Sequence, residues 1–250
     1  MLTEPTIDQM RQLGLTGMQA AYLELRDNPA AAELSREEWL GFLLDREVTT
    51  RFNKRLESRL KSAKLRQQAA IEDVDFRAPR GLDRALFLRL GTNQWIREKA
   101  GLIITGPSGV GKTFLACALG QKACRDDLSV VYRRSHRLLA ALGLARHDGS
   151  YARQFRALVR ADLLILDDFG PEPLTAEQRR DLLEIVEDRY GNGSTLITSQ
   201  LPVDTWHAVI GDPTLADAVL DRVVHASHRI ELKGESMRRR RRPSEERLST

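Results

Sequence analysis

The chain has 250 residues, 42% of them hydrophobic and 30% charged, with a formal net charge of +4 and a sequence pI near 9.3. That length suits one large domain, or an ordinary domain with a small appendage, and allows a real core, while the basic balance leans toward polyanionic partners. No apolar stretch approaches the roughly 18 residues needed to cross a bilayer, and the start, Met1-Leu2-Thr3-Glu4-Pro5, lacks a basic segment followed by an apolar run, so neither a secretory signal nor a membrane span is expected, and a soluble, cytoplasmic protein is.

The first 70 or so residues read as helical. Ile7, Met10, Leu13 and Leu15 begin an apolar stripe that Met18, Tyr22 and Leu25 extend, with Gly14 and Gly17 weakening its middle. Asn28-Pro29 breaks the chain, and Ser35-x-x-Glu38 is a capping-box pattern opening a second helix. Trp39, Phe42, Leu43, Phe52, Leu56 and Leu60 are its apolar positions. Residues 71–80, with three acids and a proline, read as a link, and a short helix from Leu82 to Trp95 leads into the main domain.

From Gly101 short apolar runs alternate with helical patterns. Strands are expected at Leu102–Thr105, Ser129–Arg133, Leu163–Leu166, Thr195–Thr198 and Ser227–Leu232. Helices are expected near 112–124, 135–146, 175–190 and 204–226, the last broken at Gly211-Asp212-Pro213. Such alternation argues for a mostly parallel five-stranded sheet flanked by helices. The expected division is a small all-helical N-terminal domain over 1–78, the main α/β domain over 79–235 and a basic tail over 236–250. Cys117 and Cys124, about 10 Å apart along one helix, are too distant for a disulfide.

Gly106-Pro107-Ser108-Gly109-Val110-Gly111-Lys112-Thr113 follows an apolar strand and opens an apolar-periodic helix, which is the context a phosphate-binding loop requires. Glycines let consecutive N–H groups turn toward phosphate oxygens, and the helix start adds its positive dipole end. Lys112 is placed for the β- and γ-phosphates of ATP, and the Thr113 hydroxyl for Mg²⁺. Leu163–Leu166 is a buried strand that ends in Asp167 and Asp168. Ligands of open α/β sheets bind beyond the strand ends, so Asp167 is assigned to the metal and Asp168 to the attacking water. Two adjacent acids suggest P-loop ATPases with an extra strand between cradle and metal strand, and Ser129–Arg133 fits that strand. Asp168 is a methylene shorter than the Glu of many such enzymes, which implies slow hydrolysis.

Thr198-Ser199-Gln200 ends a further strand. Gln200 first and Ser199 second are candidates to touch the γ-phosphate or the water, with a turn cap before Pro202 as the alternative. Arg222 is a candidate to project into a neighbouring subunit's site, with a salt bridge to Asp221 or Asp217 as the alternative. Arg238 either reads the nucleotide in cis or starts a basic tail. The five histidines read as structural or surface residues. Two basic clusters fit phosphate backbone without base readout. One is Arg51, Lys54, Arg55, Arg59 and Lys61, continued by Lys64 and Arg66 and opposed by Glu57 alone, with 51, 55 and 59 on one helix face. The other is the run Arg238–Arg242.

Several segments together resemble one family. Leu13-Gly14-Leu15-Thr16-Gly17-Met18, Asp45-Arg46-Glu47, Arg80-Gly81-Leu82-Asp83, the phosphate loop, Leu166-Asp167-Asp168 and Asp188-Arg189-Tyr190-Gly191 come in that order. Thr198 to Val203, Gly211 to Asp217, Leu220-Asp221-Arg222 and Glu231 to Arg238 follow. The chain resembles the IstB family, ATP-binding helpers of insertion-sequence transposition, over nearly its whole length. The resemblance implies an AAA+ ATPase of the initiator group, akin to DnaC-type helicase loaders, assembling as a homo-oligomer on duplex DNA with a cognate transposase as partner. It also places Arg222 at the trans-acting arginine and Arg238 at a second nucleotide sensor. A replicative helicase loader is the runner-up function. A small-molecule kinase is a third, disfavoured because it leaves the basic arm unexplained.

Overall fold

The computed structural model describes residues 3–225 and 227–237, the side chains of Thr3 and Glu4 excepted. By its internal contacts the chain divides between Arg59 and Leu60. The expected boundary lies later, at residue 78. The difference arises because Ala63, Ala69 and Val74 are buried and Arg125 donates to Glu72 at 2.7 Å, so the link packs with the second unit.

In the first unit, α1 (Thr3–Gln12) and α2 (Thr16–Arg26) are separate helices. The break falls at Gly14, whose φ of +69° favours glycine. Gly17 does not weaken a helix but permits a crossing: a Cβ there would meet Arg46 O, Glu47 Cα and Thr50 Oγ1, each at 2.7 Å. Asn28 accepts from Ala30 N and starts a 3₁₀ turn, α3 (Pro29–Glu33). The long helix α4 runs Arg36–Ala63. Its capping box forms as the sequence implies: Glu38 N donates to Ser35 Oγ at 3.2 Å and Ser35 N to Glu38 Oε2 at 2.7 Å. Leu43 is buried, whereas Phe42 is exposed, as are Leu40, Leu44 and Val48 on one α4 face.

After the last residues of α4, the second unit continues with a 3₁₀ turn, α5 (Ile71–Asp73), then α6 (Arg84–Leu90) and α7 (Gln94–Arg97). The single helix expected over 82–95 is split, because Asn93 adopts φ +60°. Five strands follow: β1 (Gly101–Thr105), β2 (Val130–Arg134), β3 (Leu163–Phe169), β4 (Ser194–Ser199) and β5 (Ser227–Glu231). They pair in parallel in the order β2-β3-β4-β1-β5. This is the five-stranded parallel sheet flanked by helices that the sequence implies. The connecting helices are α8 (Lys112–Arg125), α9 (Ser135–His147), α10 (Tyr151–Arg160) and α11 (Ala176–Arg189), then a 3₁₀ turn α12 (Val203–Thr205), α13 (Trp206–Ile210) and α14 (Pro213–Val224). Helix α10 was not expected. Its signal was present, since Tyr151, Phe155 and Leu158 fall on one helical face and pack into the core.

Strand alternation sorts the core. Ile103, Leu164, Leu166 and Ile197 face Leu139, Ile185, Trp206 and Val219 from the helices between β2 and β5. The intervening residues, such as Ile165, face α8, where a Cβ on Gly120 would lie 2.8 Å from Ile165 Cδ1. Cys117 and Cys124 are buried thiols that take part in no disulfide.

Arg189 closes the sheet's starting end. It is 1% exposed and donates to Leu158 O at 2.6 Å, Ala161 O at 2.8 Å, Thr195 Oγ1 at 3.1 Å and Ser194 O. Burial pulls its pKa down to about 10, so it remains charged at neutral pH. Arg189→Ala removes the donors from several buried carbonyls at once, each worth about 1–3 kcal/mol when orphaned. Denaturant unfolding should show a loss of about 3 kcal/mol or more, and a loss below about 1 kcal/mol would mean that water replaces the guanidinium.

Candidate nucleotide site

The loop after β1 carries backbone angles that exclude side chains. Gly106 has φ +141°, and a Cβ there would lie 2.3 Å from Leu232 O; Gly111 has φ +98°, and a Cβ would lie 2.5 Å from Arg80 Nη1. Between them Pro107, Ser108, Gly109 and Val110 complete the turn onto α8. Lys112 is 8% exposed, and its Nζ donates to Gly106 O at 2.5 Å and Pro107 O at 2.8 Å. The ammonium is thus folded back over the loop's own carbonyls.

Asp167 is wholly buried. Its Oδ1 accepts from Thr113 Oγ1 at 2.8 Å and Thr198 Oγ1 at 2.7 Å, and its Oδ2 accepts from Tyr132 OH at 2.6 Å. Burial and the Asp167 carboxylate both push the Tyr132 phenol well above its ordinary range, so it stays a donor. Strand β3 then changes register against β4 between Leu166 and Phe169. Inside this bulge Asp168 takes φ +61°, a left-handed conformation that Asp tolerates better than most residues. Simple alternation would send Asp168 to the opposite face from Asp167; the bulge re-aims it. Thr198 Oγ1 accepts from its backbone N–H at 2.9 Å, and Gln200 Nε2 donates to its carboxylate at 3.1 Å.

Several of these groups line one cavity of about 520 Å³, a size suited to a small-molecule ligand; Asp167 sits behind its lining, hydrogen-bonded to the lining residues Thr113 and Thr198. Ser108, Gly109, Gly111, Lys112 and Thr113 form its floor, with Asp168, Thr198 and Gln200 on one wall. Arg66 and Arg134 line it too, and Asp75, Arg80 and Met237 lie at its margin. Arg80 ties that margin together, donating to Val110 O at 3.0 Å and Asp75 O at 3.1 Å; burial lowers its pKa. Met237 N donates to Gly109 O at 3.0 Å, returning the chain to the loop. The Thr113 hydroxyl beside the Asp167 carboxylate fits an Mg²⁺ ion carried in with phosphates. Among the described residues no cluster of three or more His, Cys, Asp or Glu would hold a metal.

The structure separates other expected residues from this site. Ser199 is fully buried and turned away: its Oγ donates to Phe169 O at 2.7 Å and accepts from Leu201 N at 3.0 Å. Thr198, one residue earlier, lines the cavity instead. Arg222 pairs with neither Asp221 nor Asp217. It donates to Ala218 O at 2.8 Å and meets Glu187 Oε1 at 3.0 Å, beside Gly101, Thr195 and Ser227. Those residues start the strands, whereas the cradle lies at their ends, about 15 Å away along a five-residue strand. Arg238, and with it the run through Arg242, lies outside the described residues.

The arm cations also differ in state. Glu47 Oε2 accepts from Gly17 N at 2.7 Å and Met18 N at 3.0 Å, capping α2, and Arg51 Nε donates to its Oε1 at 2.6 Å. Lys54 Nζ donates to Thr16 Oγ1 at 2.8 Å. Arg51 and Lys54 are therefore engaged in holding the helical unit together, contrary to a wholly solvated basic face. Arg55 and Lys61 are exposed and Arg59 is half-buried. Tyr132, Thr198, Arg66 and Arg134 were not read from the sequence as site residues, and a polar tip on the strand before the metal strand was the one available sign, at Tyr132.

The family model of the IstB-like ATP binding protein matches residues 8–245. An insertion sequence ATP-binding protein of Sinorhizobium fredii is 59% identical over 242 residues, covering 97% of this chain and 99% of that protein. The solved structure of DnaI superposes with a TM-score of 0.58 at 21% identity, covering 66% of this chain and 91% of that one. The DnaC helicase loader gives a TM-score of 0.54 at 23% identity, covering 70% and 99%.

Proposed function

The chain belongs to the IstB-like ATP-binding family, and from that premise we propose that it is an ATP-hydrolysing assembly factor that loads onto duplex DNA and recruits a transposase. The observation that carries the ATPase reading is the pair of acids, one beneath the cradle and one re-aimed over it. Thr113 and Asp167 would hold Mg²⁺, which spreads charge from the β- and γ-phosphates when bound. Lys112 binds phosphate oxygens. Asp168 accepts a proton from, or orients, the water that attacks the γ-phosphate, and Gln200 and Thr198 hold Asp168 in place. ADP leaves with phosphate. Phosphate release from ATP by the purified chain, with Mg²⁺ and abolished by a chelator, tests this directly; a chain that releases none is no ATPase.

ATP would stabilise contacts between subunits and hydrolysis would dissolve them, with Arg222 completing the site of the next subunit. The transposase as partner follows from the insertion-sequence relatives. Similarity to the DnaC helicase loader rests on the fold alone, so the loader reading gains no separate support. Among the described residues no helix is long and apolar enough to cross a membrane.

DNA contact is assigned to α4. Arg55→Glu with Lys61→Glu should weaken duplex binding uniformly across sequences, and should lower the slope of log affinity against log salt by about two. ATP affinity should persist. Arg51 is the wrong probe, because a carboxylate there would face Glu47 and loosen the α2 cap. Unchanged duplex affinity at low salt in the double variant would shift the contact elsewhere.

A further inference from the structure

Arg66 follows α4 by three residues and lines the nucleotide cavity. Its backbone N–H and that of Gln67 hydrogen-bond the Cys117 thiol on α8, the helix that starts with Lys112 and Thr113. The backbone at Arg66 is thereby held against the element that carries the cradle. Its Nη1 lies 3.8 Å from Asp167 Oδ2. That is an ion pair without a hydrogen bond. Asp167 already accepts from three hydroxyls at 2.6–2.8 Å, so the guanidinium's five N–H donors are not committed to it.

We infer that Arg66 reads the γ-phosphate of ATP from within the same subunit. The inference rests on the ATP-binding reading above and deepens it. The backbone N–H groups of the loop and the adjacent helix start serve the phosphates nearest α8. Arg66 is instead beside Asp167, the acid that together with Thr113 would hold a metal accompanying the phosphates. A metal cation drawn to Thr113 and Asp167 would share the carboxylate with Arg66, and the guanidinium would turn to the one anion added in ATP and missing in ADP. A planar fork matches a phosphate's paired oxygens. Arg134 extends the same positive wall: strand alternation puts it on the β2 face of Tyr132, and it too lines the cavity. Arg66 therefore discriminates ATP from ADP, whereas Lys112 serves both.

The test is calorimetric titration of the full chain with ATP and with ADP, each in the presence of Mg²⁺. Arg66→Ala should weaken ATP binding about tenfold, the low end for a hydrogen bond to a charged group because the residue is 40% exposed. ADP binding should stay at the parent value. Arg66→Lys should fall between parent and alanine for ATP, since an ammonium supplies charge without the fork. Equal losses for both nucleotides, or no loss for either, overturn the inference. If the alanine variant does not melt as a folded protein, the lysine variant carries the same comparison, and an unaltered ATP-to-ADP ratio overturns it. A parent chain that binds neither nucleotide overturns the ATP-binding reading itself. A parent that binds both, with variants that fail to discriminate, overturns this inference alone.

Discussion

Asp168→Asn should bind ATP like the parent and hydrolyse it at least about a hundredfold more slowly, the low end for losing a positioned base. The substitution is unusually clean. Asn tolerates the left-handed φ of +61° found at this position, so the bulge that aims the side chain should persist. Its amide oxygen can still accept from Gln200, which lies 3.1 Å away. Only the negative charge and the proton-accepting capacity are removed. The trapped ATP state should then keep subunits assembled, which sedimentation would reveal as a larger species with ATP than with ADP. Lys112→Ala is the complementary arm: the cation folded over the loop is lost, and nucleotide binding should fall below detection at micromolar protein. Hydrolysis by Asp168→Asn at the parent rate would remove Asp168 from the mechanism.

Arg222→Ala should lose DNA-stimulated hydrolysis by about 10³-fold, the usual worth of an arginine supplied to a neighbour's phosphoryl transfer, while each subunit still binds ATP. Placement at the strand starts keeps Arg222 from its own cradle, so a catalytic role requires a second subunit. Activity per subunit should accordingly rise with protein concentration. Mixing Arg222→Ala with Lys112→Ala subunits separates the possibilities. Neither hydrolyses alone, yet a mixed interface pairs an intact cradle with an intact arginine, and activity should reappear. The ion pair with Glu187 at 3.0 Å is the rival: an Arg222→Ala protein that stays fully active would mean the residue only bridges α14 to α11.

The phosphate loop, the two acids and the five parallel strands were legible in the sequence, for a local reason. Glycine spacing, strand-then-helix periodicity and acids at a strand end are properties of neighbours in the chain, so they can be read without any tertiary contact. The capping box at Ser35 and Glu38 was legible for the same reason. Tertiary structure alone decided the rest. Period two predicts opposite faces for Asp167 and Asp168, and a shift of pairing against β4 overrode it. Thr198 rather than Ser199 lines the cavity, because only the packing of β3 beside β4 fixes which face meets Asp167 and which meets Phe169. The basic run along the second half of α4 and just beyond it looked uniform as a string of charges. Folding divides it into Arg51, which is engaged with Glu47, Arg55 and Lys61, which stay exposed, and Arg66, which turns to the nucleotide cavity. Charge is a property of the residue, but what it faces depends on segments far away in sequence, Glu47 against the α2 start and Asp167 against Arg66, and these meet only when the chain is folded.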